Sequence, residues 1–512
     1  MLTLDRRPKV DSAPEDGRPH ALVIGSGFGG LAAAVRLGAR GYRVTVVERL
    51  DSPGGRAYVY RQDGFTFDAG PTIITAPHLF EDLWRLCGRR MSDDVDLRVI
   101  DPFYRLVFDD GHVMDCHADP ADMLAEVARI SPADVAGYLR FMKRSEAICA
   151  TGFETLGHIP FMSLADMALK APDLLRLGAR RSVYGLVSQY VKDPRLRVAL
   201  SFHPLFVGGN PFDTTAVYAL IAHLERRWGV HFTMGGTGSL VQGLVGLIVG
   251  QGGRLRYGAD VSKIIVESGV AHGVRLTSGE TIAADIVVSN ADAATTYRDL
   301  LPVGCKKRWT DQRIDKARYS MSLFVWYFGV RRRYDDVSHH TILLGPRYRG
   351  LLNDIFETKV LAKDMSLYLH RPTATDPTLA PAGCDGFYVL SPVPHLDGRI
   401  DWTTEAEPYR RAIEQRLSQT ILPGLESVIA TSMVMTPLDF KERYRSFKGA
   451  AFSFAPVLTQ SAWFRPNNRS EDVKGLYLVG AGTQPGAGIP GVLSSARMLD
   501  ALVPDAVCRA RN

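Results

Sequence analysis

The segment 21–49, ALVIGSGFGGLAAAVRLGARGYRVTVVER, constrains the fold more than any other part of the chain. Ala21–Ile24 is an apolar run suited to a buried parallel strand. Gly25-Ser26-Gly27-Phe28-Gly29-Gly30 follows at once, and the alanine-rich stretch Leu31–Arg40 predicts a helix. Gly41 closes that helix, and Tyr42–Val47 is a second, β-branched strand ending at Glu48, 18 residues past Gly30. Each position has a physical task. Gly25 permits a tight turn, Gly27 lets the backbone approach a pyrophosphate, and Gly30 lets the helix close on the strand. The first-turn N–H groups and the positive end of the helix dipole favour phosphate. Glu48 accepts both ribose hydroxyls and repels a 2′-phosphate. A glycine turn alone says little; in the order strand, turn, helix, strand, acid it predicts a βαβ dinucleotide site.

Two further pieces extend the lining. Arg49 leads into Gly54-Gly55-Arg56, which offers backbone access and a fixed cation, and Gly70-Pro71-Thr72 continues it. Such a second patch suits the diphosphate and ribityl chain of a flavin. Near the other end, Gly475–Val479 reads as a strand, followed by Gly480, Gly482, Gly486, Gly488 and Gly491 and a helix expected to begin near Val492. That is another backbone-rich cradle at a helix N-terminus, with Gly488-Ile489-Pro490-Gly491 at its lip.

Composition narrows the class. Lys+Arg 61 against Asp+Glu 55 leaves a formal charge of +6, mild for 512 residues, and no nucleic-acid-binding signature accompanies it. The longest apolar runs, Leu244–Val249 and Leu323–Val330, fall far short of a membrane-spanning helix. Six cysteines without CxxC or metal-like spacing fit a reducing compartment, and no metal ligand set is expected. His339-His340 reads as surface or core, with side chains diverging on a strand. The first nineteen residues, polar and without an apolar core, read as a disordered tail rather than a secretory signal. No P-loop, HExxH or GxSxG competes with the dinucleotide reading.

With GGR after the βαβ unit, the chain resembles the flavoprotein amine oxidase/carotene desaturase superfamily. Phe202–Pro211, Leu323–Gly329, Ser391–Leu396, Gln460–Pro466 and above all Gly480–Gly491 resemble bacterial-type phytoene desaturases, so that the resemblance covers roughly residues 20–503. It implies an α/β fold: a Rossmann-like FAD-binding domain of the two-dinucleotide-binding-domain flavoprotein type, a β-rich substrate domain and a helical lid or membrane-associating region. The expected domains are 20–90, 231–302 and 449–512 for FAD, 91–130 and 303–448 for substrate, and 131–230 for the helical region, after a tail over 1–19. By the same resemblance the backbone of Val261 meets the adenine and the Asn290 region approaches the diphosphate.

The implied activity is successive dehydrogenation of 15-cis-phytoene, a C40 carotene, to neurosporene or lycopene by hydride transfer to the flavin, with oxygen or a quinone as electron acceptor. Another carotenoid flavoenzyme, a hydroxycarotenoid 3,4-desaturase or carotene isomerase, and a non-enzymatic prenyl- or lipid-binding protein are the alternatives. Amine oxidases of the superfamily usually carry an acid where this chain has Ala481, which counts against amine oxidation. Relatives commonly have His where this chain has Gln484, a residue that cannot shuttle a proton near neutral pH.

In 164–190 apolar residues alternate with Asp166, Lys170, Asp173, Arg176, Arg180 and Arg181 at helical spacing, and Pro172 is expected to start a second helix. This stretch is either an amphipathic cover over the core or a helical pair in the membrane interface. Asp166, in that apolar setting, is the candidate base. The expectation is a cytoplasmic protein associated peripherally with a lipid surface.

Overall fold

The computed structural model describes residues 17–506. Strand His20–Ile24 is the middle of a five-stranded parallel sheet ordered 476–478, 286–289, 20–24, 43–47, 254–256. Val23 sits opposite Val46 on one side and Val288 on the other. Buried on both faces, strands 20–24 and 286–289 carry the continuous apolar runs Ala21–Ile24 and Ile286–Val288 rather than alternating ones. Helix Phe28–Ala39 covers one face, and its fully buried Ala32, Ala33 and Ala34 let it lie close to the sheet. Leu31 and Val35 share a core there with Leu244 and Ile248 of helix Thr237–Gly250 and Leu493 of helix Ile489–Arg497. The antiparallel sheet 261–267, 270–276, 281–283 covers the opposite face, packing Ile264 and Val274 against Leu22 and Val287.

A second, seven-stranded sheet runs in the order 429–435, 322–330, 385–393, 367–370, 340–343, 104–107, 113–116. Its pairings are antiparallel except that of 340–343 with 104–107. Strand Ser322–Val330 is buried at every position, and its two faces serve different ends. Phe324, Trp326 and Phe328 pack under helix Trp402–Thr420 through Ile413 and Leu417. Leu323, Val325 and Tyr327 face the other way, toward a core built with helices of the 120–228 region.

Three local expectations are corrected. The first helix begins at Phe28 and the last-cradle helix at Ile489, so both start three residues before the stretches read as helical. In the second case Pro490 occupies the first turn, where its missing N–H costs nothing. Pro172 does not open a new helix but lies inside Leu164–Arg176. The carbonyl it leaves unbonded belongs to Ala168, an exposed residue that water can satisfy. Among the described residues no helix is long and apolar enough to cross a membrane.

Candidate active site

A cavity of about 590 Å³ joins the glycine-rich pieces to an apolar compartment. Gly25, Gly27, Glu48, Arg49, Gly55, Arg56, Gly70, Pro71 and Thr72 line it from the first piece. Val261 and Asn290 line it from the second, and Gly480, Gly482, Gly488, Ile489, Pro490 and Gly491 from the third. Ser26 and Gly30 stand behind the wall. Ser26 donates its N–H and its hydroxyl to Glu48 Oε2, at 2.8 and 2.7 Å, and the Leu50 N–H donates to Oε1 at 2.8 Å. Both lone pairs of Oε2 are engaged, which holds the side chain rigid, and Oε1 keeps a lone pair for a ribose hydroxyl.

The close approach at the turn is steric. A Cβ on Gly30 would lie 2.0 Å from the Gly25 carbonyl oxygen, and one on Gly29 would lie 2.5 Å from Asn290 Oδ1. Asn290 thus wedges its amide among glycines of the first and third pieces, for a Cβ on Gly480 would also meet its Oδ1, at 2.7 Å. Helix Phe28–Ala39 has neither a side-chain cap nor an acid in its first turn. Its N-terminal donors are open to an anion. Beside it, Arg56 gives one bond to Ser446 Oγ at 2.9 Å and keeps a buried Nε without a partner. Burial pushes its guanidinium pKa down, so an adjacent phosphate would be a favourable counter-charge. Uncapped helix, open cation and acid-held turn all fit a flavin dinucleotide.

The third piece is tied down by two side chains whose tasks sequence reading did not assign. Arg465, 1% exposed, donates from Nε to Thr483 O (3.1 Å) and through its terminal nitrogens to Ala481 O (2.7 Å), Phe454 O (3.1 Å) and Gln460 O (3.3 Å). A buried arginine spent on four carbonyls fixes the glycine loop without a carboxylate partner. Gln484, equally buried, accepts from the Phe161 N–H at 2.9 Å and donates to Phe161 O at 3.0 Å and Asn467 Oδ1 at 2.6 Å. It clasps the helical region to the cradle as one peptide group pairs with another.

Asp166 is not among the residues lining the cavity. Its Oδ2 accepts the N–H groups of Met162 and Ser163, at 2.9 and 2.8 Å, and Ser163 Oγ accepts the Asp166 N–H at 3.1 Å. The two histidines read as divergent are instead in contact, rings 4.5 Å apart, and His370 from the neighbouring strand joins them. One ring nitrogen of each lies within 4.8 Å of the others, a grouping that residues 30 apart in the chain could not announce. His339 Nε2 and His370 Nε2 are 3.0 Å apart. Burial, then the Arg371 charge, pulls the His339 pKa down to about 3, and burial holds His340 and His370 well below the usual value. All three are neutral core imidazoles at physiological pH. The five described cysteines are free thiols.

The sheet order and the three-piece cradle define a dinucleotide-cofactor oxidoreductase. Residues 28–498 match the family model for flavin containing amine oxidoreductase. Among curated proteins, the neurosporene-forming phytoene desaturase of Cereibacter sphaeroides is 51% identical over 505 residues, 98% of this chain and 97% of the relative. The lycopene-forming phytoene desaturase of Pseudescherichia vulneris is 49% identical over 486 residues, 94% of this chain and 98% of the relative. Among solved structures, an oxidoreductase from Methanosarcina mazei superposes with a TM-score of 0.62 at 18% identity, covering 94% of this chain and 100% of that one. An engineered putrescine oxidase does so with a TM-score of 0.63 at 14% identity, covering 95% and 97%. The chain belongs to the flavin containing amine oxidoreductase family, and its cofactor is FAD.

Proposed function

We propose that the protein is an FAD-dependent phytoene desaturase of carotenoid biosynthesis, converting 15-cis-phytoene to neurosporene or lycopene in successive dehydrogenations. The observation that carries this reading is continuity: the cavity walled by the cofactor glycines is walled, further along, by Phe202, Leu205, Phe206, Leu323, Val325 and Leu351. An apolar tunnel ending on a flavin cradle is what a long hydrocarbon needs, and the relatives that share about half its residues carry that name.

Bound FAD supplies the two-electron oxidation of an allylic C–H bond. The chain's own residues hold and orient. The N-terminus of helix Phe28–Ala39 and Gly27 receive the diphosphate, Glu48 the ribose, the Val261 backbone the adenine, and Gly480–Gly491 the ribityl side. The substrate offers no polar group to grip, so its position comes from the shape of the walls and the exclusion of water. The Tyr388 and Tyr368 hydroxyls are engaged with Thr72 Oγ1, at 2.6 and 3.3 Å, which keeps those wall groups satisfied without substrate.

The lipid surface enters through the mouth of this cavity. Ile159 and Leu458 line it and are 36% and 41% exposed. Leu164, Leu169 and Phe464 beside them are 58%, 75% and 37% exposed, and helix Leu164–Arg176 packs against segment 462–464. With Arg176, Arg180 and Arg181 exposed alongside, the patch suits an anionic membrane that holds the carotene, peripherally bound on the cytoplasmic side. Oxygen or a membrane quinone is the acceptor proposed for reoxidation. For Asp166 the proposal is a capping part: Asp166→Asn, which keeps an accepting oxygen, is expected to retain desaturation within a few-fold, and a loss beyond roughly 100-fold with FAD still bound would restore it as the base.

The test is direct. Phytoene in liposomes is incubated with protein and FAD, and the product's absorption bands are read; each added conjugated double bond moves them to the red. Folded, FAD-loaded protein that leaves phytoene colourless would end the proposal.

A further inference from the structure

Glu225 is unlike the other charged side chains that line the cavity. Among the described residues those come from the dinucleotide pieces or, like Arg443 and Arg445, from a segment bonded to them through Arg49 and Asp260. Glu225 comes from helix Leu220–Trp228, where Leu220, Ile221 and Leu224 line the apolar compartment with it. It is 2% exposed. The Tyr104 hydroxyl donates to its Oε1 at 2.8 Å, and His203 Nε2 lies 3.0 Å from its Oε2. Burial, then the Glu225 charge, raises the Tyr104 pKa well above its ordinary value, so this phenol remains a donor.

Taking a carboxylate out of water is costly even when it is paired. A hydrocarbon gives that carboxylate nothing to recognise, so substrate binding does not account for its place in the wall. Positive charge that arises during reaction does. Resting on the desaturase reading, we infer that Glu225 is a catalytic residue: it stabilises the cationic charge on the polyene and takes the proton that completes each double bond. A hydride leaves the allylic carbon with both electrons of its C–H bond, for the oxidised flavin. The neighbouring C–H bond then breaks, its electron pair forms the C=C, and its proton passes to a Glu225 oxygen. His203, with its Nε2 at 3.0 Å from Oε2, and Tyr104, donating to Oε1, are positioning residues that hold the carboxylate aimed.

The test separates charge from fold and from turnover. Glu225→Gln keeps the shape and an acceptor for Tyr104; Glu225→Asp keeps the charge. With FAD retention and the flavin spectrum as checks on folding, Glu225→Gln is expected to lower kcat by roughly 100-fold with KM for phytoene unchanged. A second readout needs no turnover: equilibrium binding of a geranylgeranyl dimethylammonium probe against its neutral carbon isostere. Wild type and Glu225→Asp prefer the ammonium probe, and Glu225→Gln loses roughly 10-fold of that preference. A kcat within threefold of wild type in Glu225→Gln, or the same probe preference in all three proteins, overturns the inference. If Glu225→Gln does not fold, absence of any ammonium preference in wild type and Glu225→Asp overturns it. If wild type makes no coloured product, the desaturase reading fails, while the probe still reports on the carboxylate.

Discussion

Gln484→Ala should open the joint between the helical region and the cofactor cradle. The side chain's three bonds are all buried, and truncation strands the Phe161 N–H, the Phe161 carbonyl and Asn467 Oδ1. A buried polar group left alone costs about 1–3 kcal/mol, so three of them set an upper range of about 3–9 kcal/mol. Gln484 lines the cavity, however, and water entering the vacated volume recovers much of that. About 2–3 kcal/mol remains, loss concentrated where the bonds were. In hydrogen exchange this corresponds to roughly 30- to 150-fold faster opening of the peptide containing Phe161. Peptides from strand His20–Ile24 should exchange as before, since Ala21, Val23, Leu22 and Ile24 lie in cores that include neither Phe161 nor Gln484. Gln484→His is expected to fall between wild type and alanine, because one imidazole cannot serve two acceptors and one donor together. Unchanged protection at Phe161 in Gln484→Ala would refute the clasp.

Other consequences are equally measurable. Glu48→Ala removes the ribose acceptor and frees Ser26, and FAD affinity measured by flavin fluorescence should fall by roughly 10- to 100-fold, one charge-assisted hydrogen bond being lost; unaltered affinity would remove Glu48 from the site. Gly30→Ala places a methyl 2.0 Å from the Gly25 oxygen and should abolish FAD retention, whereas Gly246→Ala meets no atom within 4 Å in mid-helix and should raise the urea midpoint by an amount worth about 1 kcal/mol. Burial lifts the Asp68 pKa from 3.8 to about 6, against the bond it accepts from the Thr237 N–H. A raised carboxyl pKa means that the folded state holds its proton longer than the unfolded chain. Stability therefore falls by about 3 kcal/mol as pH rises from 4 to 6 and is level above. Asp68→Asn keeps the acceptor and loses the decline, so its urea midpoint should draw ahead of wild type across that window; parallel curves would contradict the assignment.

What the sequence disclosed follows the distance between partners along the chain. The turn Gly25–Gly30 and Glu48 are legible because strand, turn, helix and acid are consecutive, so spacing alone reports geometry. The glycine run 480–491 is legible for the same reason. Asn290 carries no such local signal: its wedge among Gly29, Gly30 and Gly480 exists only once the strands at 20–24, 286–289 and 476–478 lie side by side. Glu225 and Tyr104 carry no local signal either, because they stand 121 residues apart and each alone looks like a surface helix acid or a core aromatic, and nothing in Phe202–Pro211 pairs His203 with them. Arg465 sat inside a segment noticed for its resemblance, yet nothing in Gln460–Pro466 says that its guanidinium turns inward to four carbonyls. The histidine cluster failed for a further reason: reading 339 and 340 as strand residues puts them on opposite faces, but the strand begins at His340.

The order of the central sheet bears on how the holoprotein comes into being. Its middle strand is made first, yet Val23 must wait for Val288, and the outer strand that lies beside it arrives only at 476–478. Until the ribosome has delivered that last portion, the nucleotide has half a pocket and the nascent half-sheet exposes an edge. The complete cofactor site therefore requires residues 480–491, and FAD, by binding the folded chain, should raise the fraction of newly made protein that stays folded.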